Sequence, residues 1–153
     1  METKTQQAAD QLYREYSQKI PYSLMNTDLA PLSEAAAYDI QKEFMFKRAQ
    51  NGGGYSGYKI AYTTKVMQER VGASQPVFGR LLSNSVYQSP ASLFAVNYVN
   101  LALECEVAVT MASDLDADDK GVDRDTVFDA IEHLQLAFEV VDIRKSASEN
   151  SLI

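Results

Sequence analysis

Tryptophan is absent from the 153 residues, and cysteine and histidine occur once each. The single Cys105 cannot form an internal disulfide, so a reducing, cytoplasmic setting is expected. Cys105 also falls on the apolar side of an alternating segment, where a packed thiol is expected, and no Ser-His-Asp or Cys-His arrangement is suggested. His133 is expected near a helix end, where a dipole contact outweighs catalysis. Basic charge is scarce as well: 14 Lys plus Arg against 21 Asp plus Glu leave a net charge of −7. That balance argues against a nucleic-acid or anionic-membrane surface. The most apolar window, residues 93–112, is interrupted by Asn97, Asn100, Glu104 and Glu106, so it is not a membrane helix. The first ten residues are polar and lack a signal-peptide core. What remains is 46% apolar residues, enough for the core of one soluble domain.

Periodicity organises the chain into helices first and strands later. Ala9, Leu12, Tyr13, Tyr16 and Ile20 recur at helical spacing before Pro21, predicting a helix over residues 4–20. A second helix is predicted from an Ser33 N-cap to about residue 50, with Ala37, Ile40 and Phe44 as its stripe and Gly52, Gly53 and Gly54 beyond its end. The period then shortens: Tyr58, Ile60 and Tyr62 alternate as a strand does. A short helix carrying Val66, Met67, Arg70 and Val71 precedes Gly72, and residues 73–92 read as loop with strand pieces at Phe78–Leu82 and Val86. From Leu101 to Met111 the alternation is almost perfect, with Leu101, Leu103, Cys105, Val107, Val109 and Met111 on one side. A helix capped by Asp123 and carrying Val127, Ile131 and Leu134 is then predicted, followed by a strand over about Leu136–Ile143.

The second side of the Leu101–Met111 strand holds Glu104 and Glu106, roughly 6 to 7 Å apart at a rise near 3.3 Å per residue. Two outward carboxylates on a half-solvated strand need no ligand, yet their side chains can also converge on one cation, and Glu139 on the later strand could add a third. Ligation by oxygen alone suits Mg²⁺ or Mn²⁺ and not Zn²⁺. Asp114, Asp116 and Asp118 imitate the start of a calcium loop, but Asp119 stands where that loop needs Gly and Asp125 where it needs Glu. The Gly52–Gly54 run lacks the Gly-Lys-Ser/Thr that a phosphate loop requires.

Five segments, in order, resemble the 2-keto-4-pentenoate hydratase and 4-oxalocrotonate decarboxylase family of the fumarylacetoacetate hydrolase superfamily. They are Gly57-Tyr58-Lys59-Ile60, Thr64-Lys65-Val66-Met67-Gln68, Gln75-Pro76-Val77-Phe78-Gly79-Arg80-Leu81, Glu104-Cys105-Glu106-Val107-Ala108 and Glu139-Val140-Val141-Asp142-Ile143-Arg144. The resemblance runs from about Leu32 to Arg144. It implies an α+β fold in which N-terminal helices (1–54) lead into a mixed β-sheet, the first part of the fumarylacetoacetate hydrolase-like fold (55–144). A polar tail (145–153) follows where family members continue, so a C-terminally truncated catalytic domain is expected.

The resemblance further implies that Glu104, Glu106 and Glu139 bind Mg²⁺ or Mn²⁺. It places Lys59 beside the substrate as charge partner or proton carrier, with Phe78, Gly79, Asp142 and Arg144 nearby. The implied substrate is a small 2-oxo or 2-hydroxydienoic acid of aromatic-compound catabolism, held through its carboxylate and adjacent oxygen so that a metal-stabilised enolate serves hydration or decarboxylation alike. Hydratases of the family often carry an acid just before the Phe-Gly pair. Val77 stands there in this chain, a departure in favour of decarboxylation. Two readings follow: a metal-dependent lyase, and a non-catalytic relative that binds metal or a partner. Missing strands would leave Leu103, Cys105 and Val107 uncovered, so a homo-oligomer or association with a related chain is expected.

Overall fold

The computed structural model describes residues 2–115 and 121–145. Asp116, Asp118 and Asp119 of the acidic run, and residues 146–153 of the polar tail, lie outside the described residues. Contacts divide the chain into two compact units, one containing residues up to Val99 together with Arg144, the other spanning Asn100–Ile143.

The first unit begins with α1 (Lys4–Gln18), whose N-terminus is closed by a reciprocal capping box between Thr3 and Gln6. It ends in a left-handed Lys19, two residues ahead of Pro21. Helix α2 (Glu34–Ala49) starts at Ser33, whose hydroxyl accepts from the Ala36 amide. Ala8, Leu24 and Ile40 are buried together, with Leu12 and Leu29 packed against them. Buried Glu15 is fully engaged, accepting from the Ser23 hydroxyl, the Ser23 amide and the Gln11 amide group. Such partners offset the cost of taking a carboxylate out of water.

Strand β1 (Tyr55–Ala61) pairs antiparallel with β2 (Val77–Leu82), with a register shift between Tyr55 and Gly57. Helix α3 (Lys65–Val71) connects them, capped by the Thr64 hydroxyl and ended by left-handed Gly72. Two sequence expectations change here. Tyr62 lies beyond the strand in a left-handed conformation with φ of 58°, because the chain must turn sharply into α3. The buried Gln68 side chain holds that turn by donating to the Tyr62 carbonyl at 2.8 Å. Val86 is not in a strand either, since the one-turn 3₁₀ segment Ser83–Ser85 precedes it and breaks the pairing.

The second unit is a long hairpin. β3 (Leu101–Met111) has the bounds the alternation predicts and pairs antiparallel with β4 (Ile131–Asp142), with α4 (Arg124–Asp129) between them. Asp123 caps α4 as expected, its carboxylate accepting from the amide and hydroxyl of Thr126. The helix is shorter than its apolar spacing suggests. Ile131 and Leu134 belong to β4, where ladder pairing along the whole of β3 outweighs a weak helical period, and His133 therefore sits on a strand opposite Thr110.

The α+β class holds, but the described strands form two separate two-stranded antiparallel sheets in place of one mixed sheet. Each pair is joined by a local connection that returns the chain beside the strand it left. Cys105 is exposed, against the packed thiol read from strand alternation and in keeping with the uncovered Leu103, Cys105 and Val107 row that was also expected. Its whole row lies open, including Leu103 at 61%, Val107 at 59%, Phe138 at 68% and Leu136 at 91% exposure.

Candidate metal centre

Register builds the acidic site. Glu104 and Glu106 are two residues apart on β3 and so share a face, and Glu139 lies directly across from Glu104 on β4. Direct cross-strand partners hold their Cβ atoms roughly 4.5 to 5.5 Å apart. One carboxylate oxygen from each of the three glutamates lies within 4.8 Å of the other two, with Glu104 and Glu106 exposed and Glu139 half-buried. Two oxygens on one cation can be no more than about 4.2 Å apart at a Mg²⁺ distance of about 2.1 Å and about 5 Å apart at a Ca²⁺ distance of about 2.5 Å, so the three donors lie within the span of a Ca²⁺-sized ion and would close slightly around a Mg²⁺-sized one. Glu106 faces Ala137 across the ladder, a small neighbour that leaves the carboxylates room to converge.

Sequence reasoning missed how much else shares this face. His133 and Gln135 project to the same side as Glu139, and His133 Nε2 lies 3.2 Å from the Thr110 hydroxyl. Six residues of strand separate His133 from Glu139, about 20 Å, so the imidazole does not join the acids. The strand alternation, continued back from Glu139, was the signal that could have found it. At the far end of the hairpin Asp142 accepts from the Asn100 amide at 3.1 Å, which ties its carboxylate to the start of β3.

The remaining candidate residues belong to the first unit. Lys59 is exposed on β1 and pairs across the ladder with Gly79. Phe78 stacks on Tyr38 of α2, with ring centroids 4.7 Å apart, and meets the Tyr58 ring edge-on at 5.9 Å. Its backbone is also fastened to α2, the amide donating to the Tyr38 hydroxyl and the carbonyl accepting from Gln41. Arg144 is buried. Its guanidinium donates to the carbonyls of Glu15, Tyr16 and Ile20 at the end of α1 and lies over the rings of Tyr16 and Tyr22. A cation at a helix C-terminus satisfies orphan carbonyls and opposes the helix dipole. No motif announces that latch, because it joins residues about 125 positions apart in sequence.

No family model matches the chain. It is 33% identical over 123 residues to a 2-keto-4-pentenoate hydratase from Paraburkholderia phymatum, covering 76% of this chain and 46% of that protein. It is 29% identical over 143 residues to a 2-hydroxypent-2,4-dienoate hydratase from Pseudomonas putida, covering 93% of this chain and 64% of that one. A solved 4-oxalocrotonate decarboxylase from Pseudomonas putida G7, complexed with magnesium and adipate, matches with a TM-score of 0.83 at 19% identity, over 95% of this chain and 54% of that chain. The fold is therefore that of about half of the decarboxylase. The chain is related to these hydratases and decarboxylases, as its motifs indicate, and spans about half the length of the first curated relatives it matches.

Proposed function

We propose that the chain carries the cation-binding acids and a substrate-side lysine of a lyase for small 2-oxo and 2-hydroxydienoic acids, 2-keto-4-pentenoate hydratase-like and cytoplasmic. The observation that carries this reading is the convergence of Glu104, Glu106 and Glu139 on one strand face in a chain related to such enzymes. A face-sharing trio of carboxylates repels itself unless a cation or a basic group compensates it. A divalent ion bound there, Mg²⁺ or Mn²⁺, would polarise the carboxylate and adjacent oxygen of the acid and offset the charge of an enolate. The glutamates hold and orient; Lys59 supplies a positive charge or a proton to the substrate. Phe78, Gly79, Asp142 and Arg144 are the residues proposed near the substrate, with Arg144 acting from its latch on α1. Residues 55–144 are proposed as the β-rich part of a fumarylacetoacetate hydrolase-like catalytic domain. The open apolar row of the long hairpin suits association with a second copy or a related chain.

Decarboxylation is the second reading, favoured by Val77, which pairs with Ala61 where an acid would serve hydration. Both reactions share the enolate, and they separate by product. With a 2-hydroxydienoate and Mn²⁺, loss of the dienol absorbance is expected to need the metal and to vanish in Glu139→Gln, and release of CO₂ from a 4-oxalocrotonate-type substrate distinguishes the decarboxylase. Absence of any turnover at saturating Mn²⁺ refutes lyase activity for this chain.

A further inference from the structure

Gly79 lies inside β2, where glycine weakens a strand because it adds chain entropy and gives no side chain to pack. Its backbone does not ask for glycine: unlike Gly57 and Gly72, it is not in the positive-φ region. The explanation is in the space beside it. A Cβ placed on Gly79 would sit 3.4 Å from Cγ, 3.8 Å from Cδ and 3.7 Å from Cε of Lys59, its direct cross-strand partner. Three successive methylenes at nearly equal range mean that the lysine stem lies along the β2 backbone, although the residue as a whole is exposed. An exposed lysine on a flexible four-carbon stem otherwise samples many rotamers.

We propose that Gly79 is a positioning residue for Lys59: the missing side chain leaves a trough across β2 in which the lysine stem rests, fixing the direction in which the ammonium is presented. The proposal deepens the reading of Lys59 as the substrate-side lysine and rests on it for its functional meaning. The geometry makes the expected effect graded. A single methyl at position 79 meets the stem at ordinary contact distance, so alanine is accommodated. The branched carbons of valine occupy the trough and lift the stem out. Valine is also a better strand residue than glycine, so Gly79→Val is expected to melt no lower than the parent chain while Lys59 moves, a combination that a merely structural role for Gly79 does not give.

The test is competitive amine labelling of the full chain with a limiting acylating reagent, read at each lysine by mass spectrometry. Gly79→Val is expected to change the Lys59 labelling rate several-fold against Lys42 and Lys65, with Gly79→Ala in between. An unchanged Lys59 rate in a folded Gly79→Val chain overturns the proposal. Turnover of a 2-hydroxydienoate gives the second arm: Gly79→Val is expected to lower kcat more than it raises KM and to add no further loss in a Lys59→Met background, because both changes act through one amine. Additive losses overturn the positioning role. If the parent chain has no turnover, the lyase reading fails on its own, and the labelling arm still decides what Gly79 does.

Discussion

The β1–β2 pair and the β3–β4 hairpin are both antiparallel, but a helix packs against part of the first, whereas the apolar row of the second is open along its length. In the first, helix α2 stacks Tyr38 on the half-exposed Phe78 ring and grips the strand backbone through the Tyr38 hydroxyl and Gln41, and Leu82 at the strand end is almost completely buried. In the second, each strand is nearly twice as long and the ladder almost unbroken. Yet the row from Leu103 to Val109, with Leu134, Leu136 and Phe138 across from it, faces outward. A two-stranded hairpin without cover is marginal in water however regular its ladder. The acids therefore sit on the element with less packing behind it, and a preorganised site there depends on what steadies the hairpin.

The largest contrast should appear in paired truncations. Leu82→Ala removes a side chain only 2% exposed and is expected to cost about 2 to 4 kcal/mol. Leu136→Ala removes one that is 91% exposed and is expected to stay within about 0.5 kcal/mol. Chemical denaturation of both variants measures the difference, and a large loss at Leu136 would mean that the open row is packed against something in solution.

A smaller effect distinguishes the acidic face from ordinary surface. Without divalent metal, Glu104→Gln is expected to leave stability unchanged or raise it by up to about 1 kcal/mol, since like charges directly opposite on a ladder repel. With Mn²⁺ present the same substitution is expected to lower the melting temperature relative to the parent. Melting curves in EDTA and in Mn²⁺ show whether the sign reverses.

The smallest effect lies in the helical part. Lys47 holds the Asp10 carboxyl below its ordinary 3.8 through their 2.6 Å contact, and Asp10 in turn raises the Lys47 amine above 10.5. Asp10, with its lowered value, contributes stability that is present above its unfolded pKa and lost as pH falls through the folded one. Lys47, with its raised value, contributes below its unfolded pKa and loses this as pH rises through the folded one. The pair is solvent-screened, so roughly 0.2 to 1 kcal/mol is involved. Comparing Asp10→Asn with the parent chain at pH 7 and at pH 3 is expected to show a larger difference at pH 7 than at pH 3.

Strand β3 was the most legible element because strict alternation fixes both its limits and its faces, which puts Glu104 and Glu106 together, and the register with β4 brings Glu139 beside them. Two helix starts were legible for a similar local reason, since Ser33 and Asp123 are capping residues next to helical stretches. Ile131 and Leu134 were misread because a short apolar run fits helix and strand periods equally, and only pairing along β3 decides between them. Cys105 was expected to be packed because an apolar row implies a cover, and a single strand cannot show whether another element supplies one. The Arg144 latch and the Lys59–Gly79 contact depend on distant or cross-strand partners, which the local pattern does not contain.

The proposed site has three carboxylates on one strand face holding one divalent cation. Calorimetric titration of the chain with Mn²⁺, and in parallel of Glu104→Gln, Glu106→Gln and Glu139→Gln, tests it most directly. One saturable site is expected in the parent chain, weakened at least about tenfold by each substitution, as when a ligand of a small hard-cation site is removed. No binding by the parent chain, or equal binding by all four proteins, would contradict it.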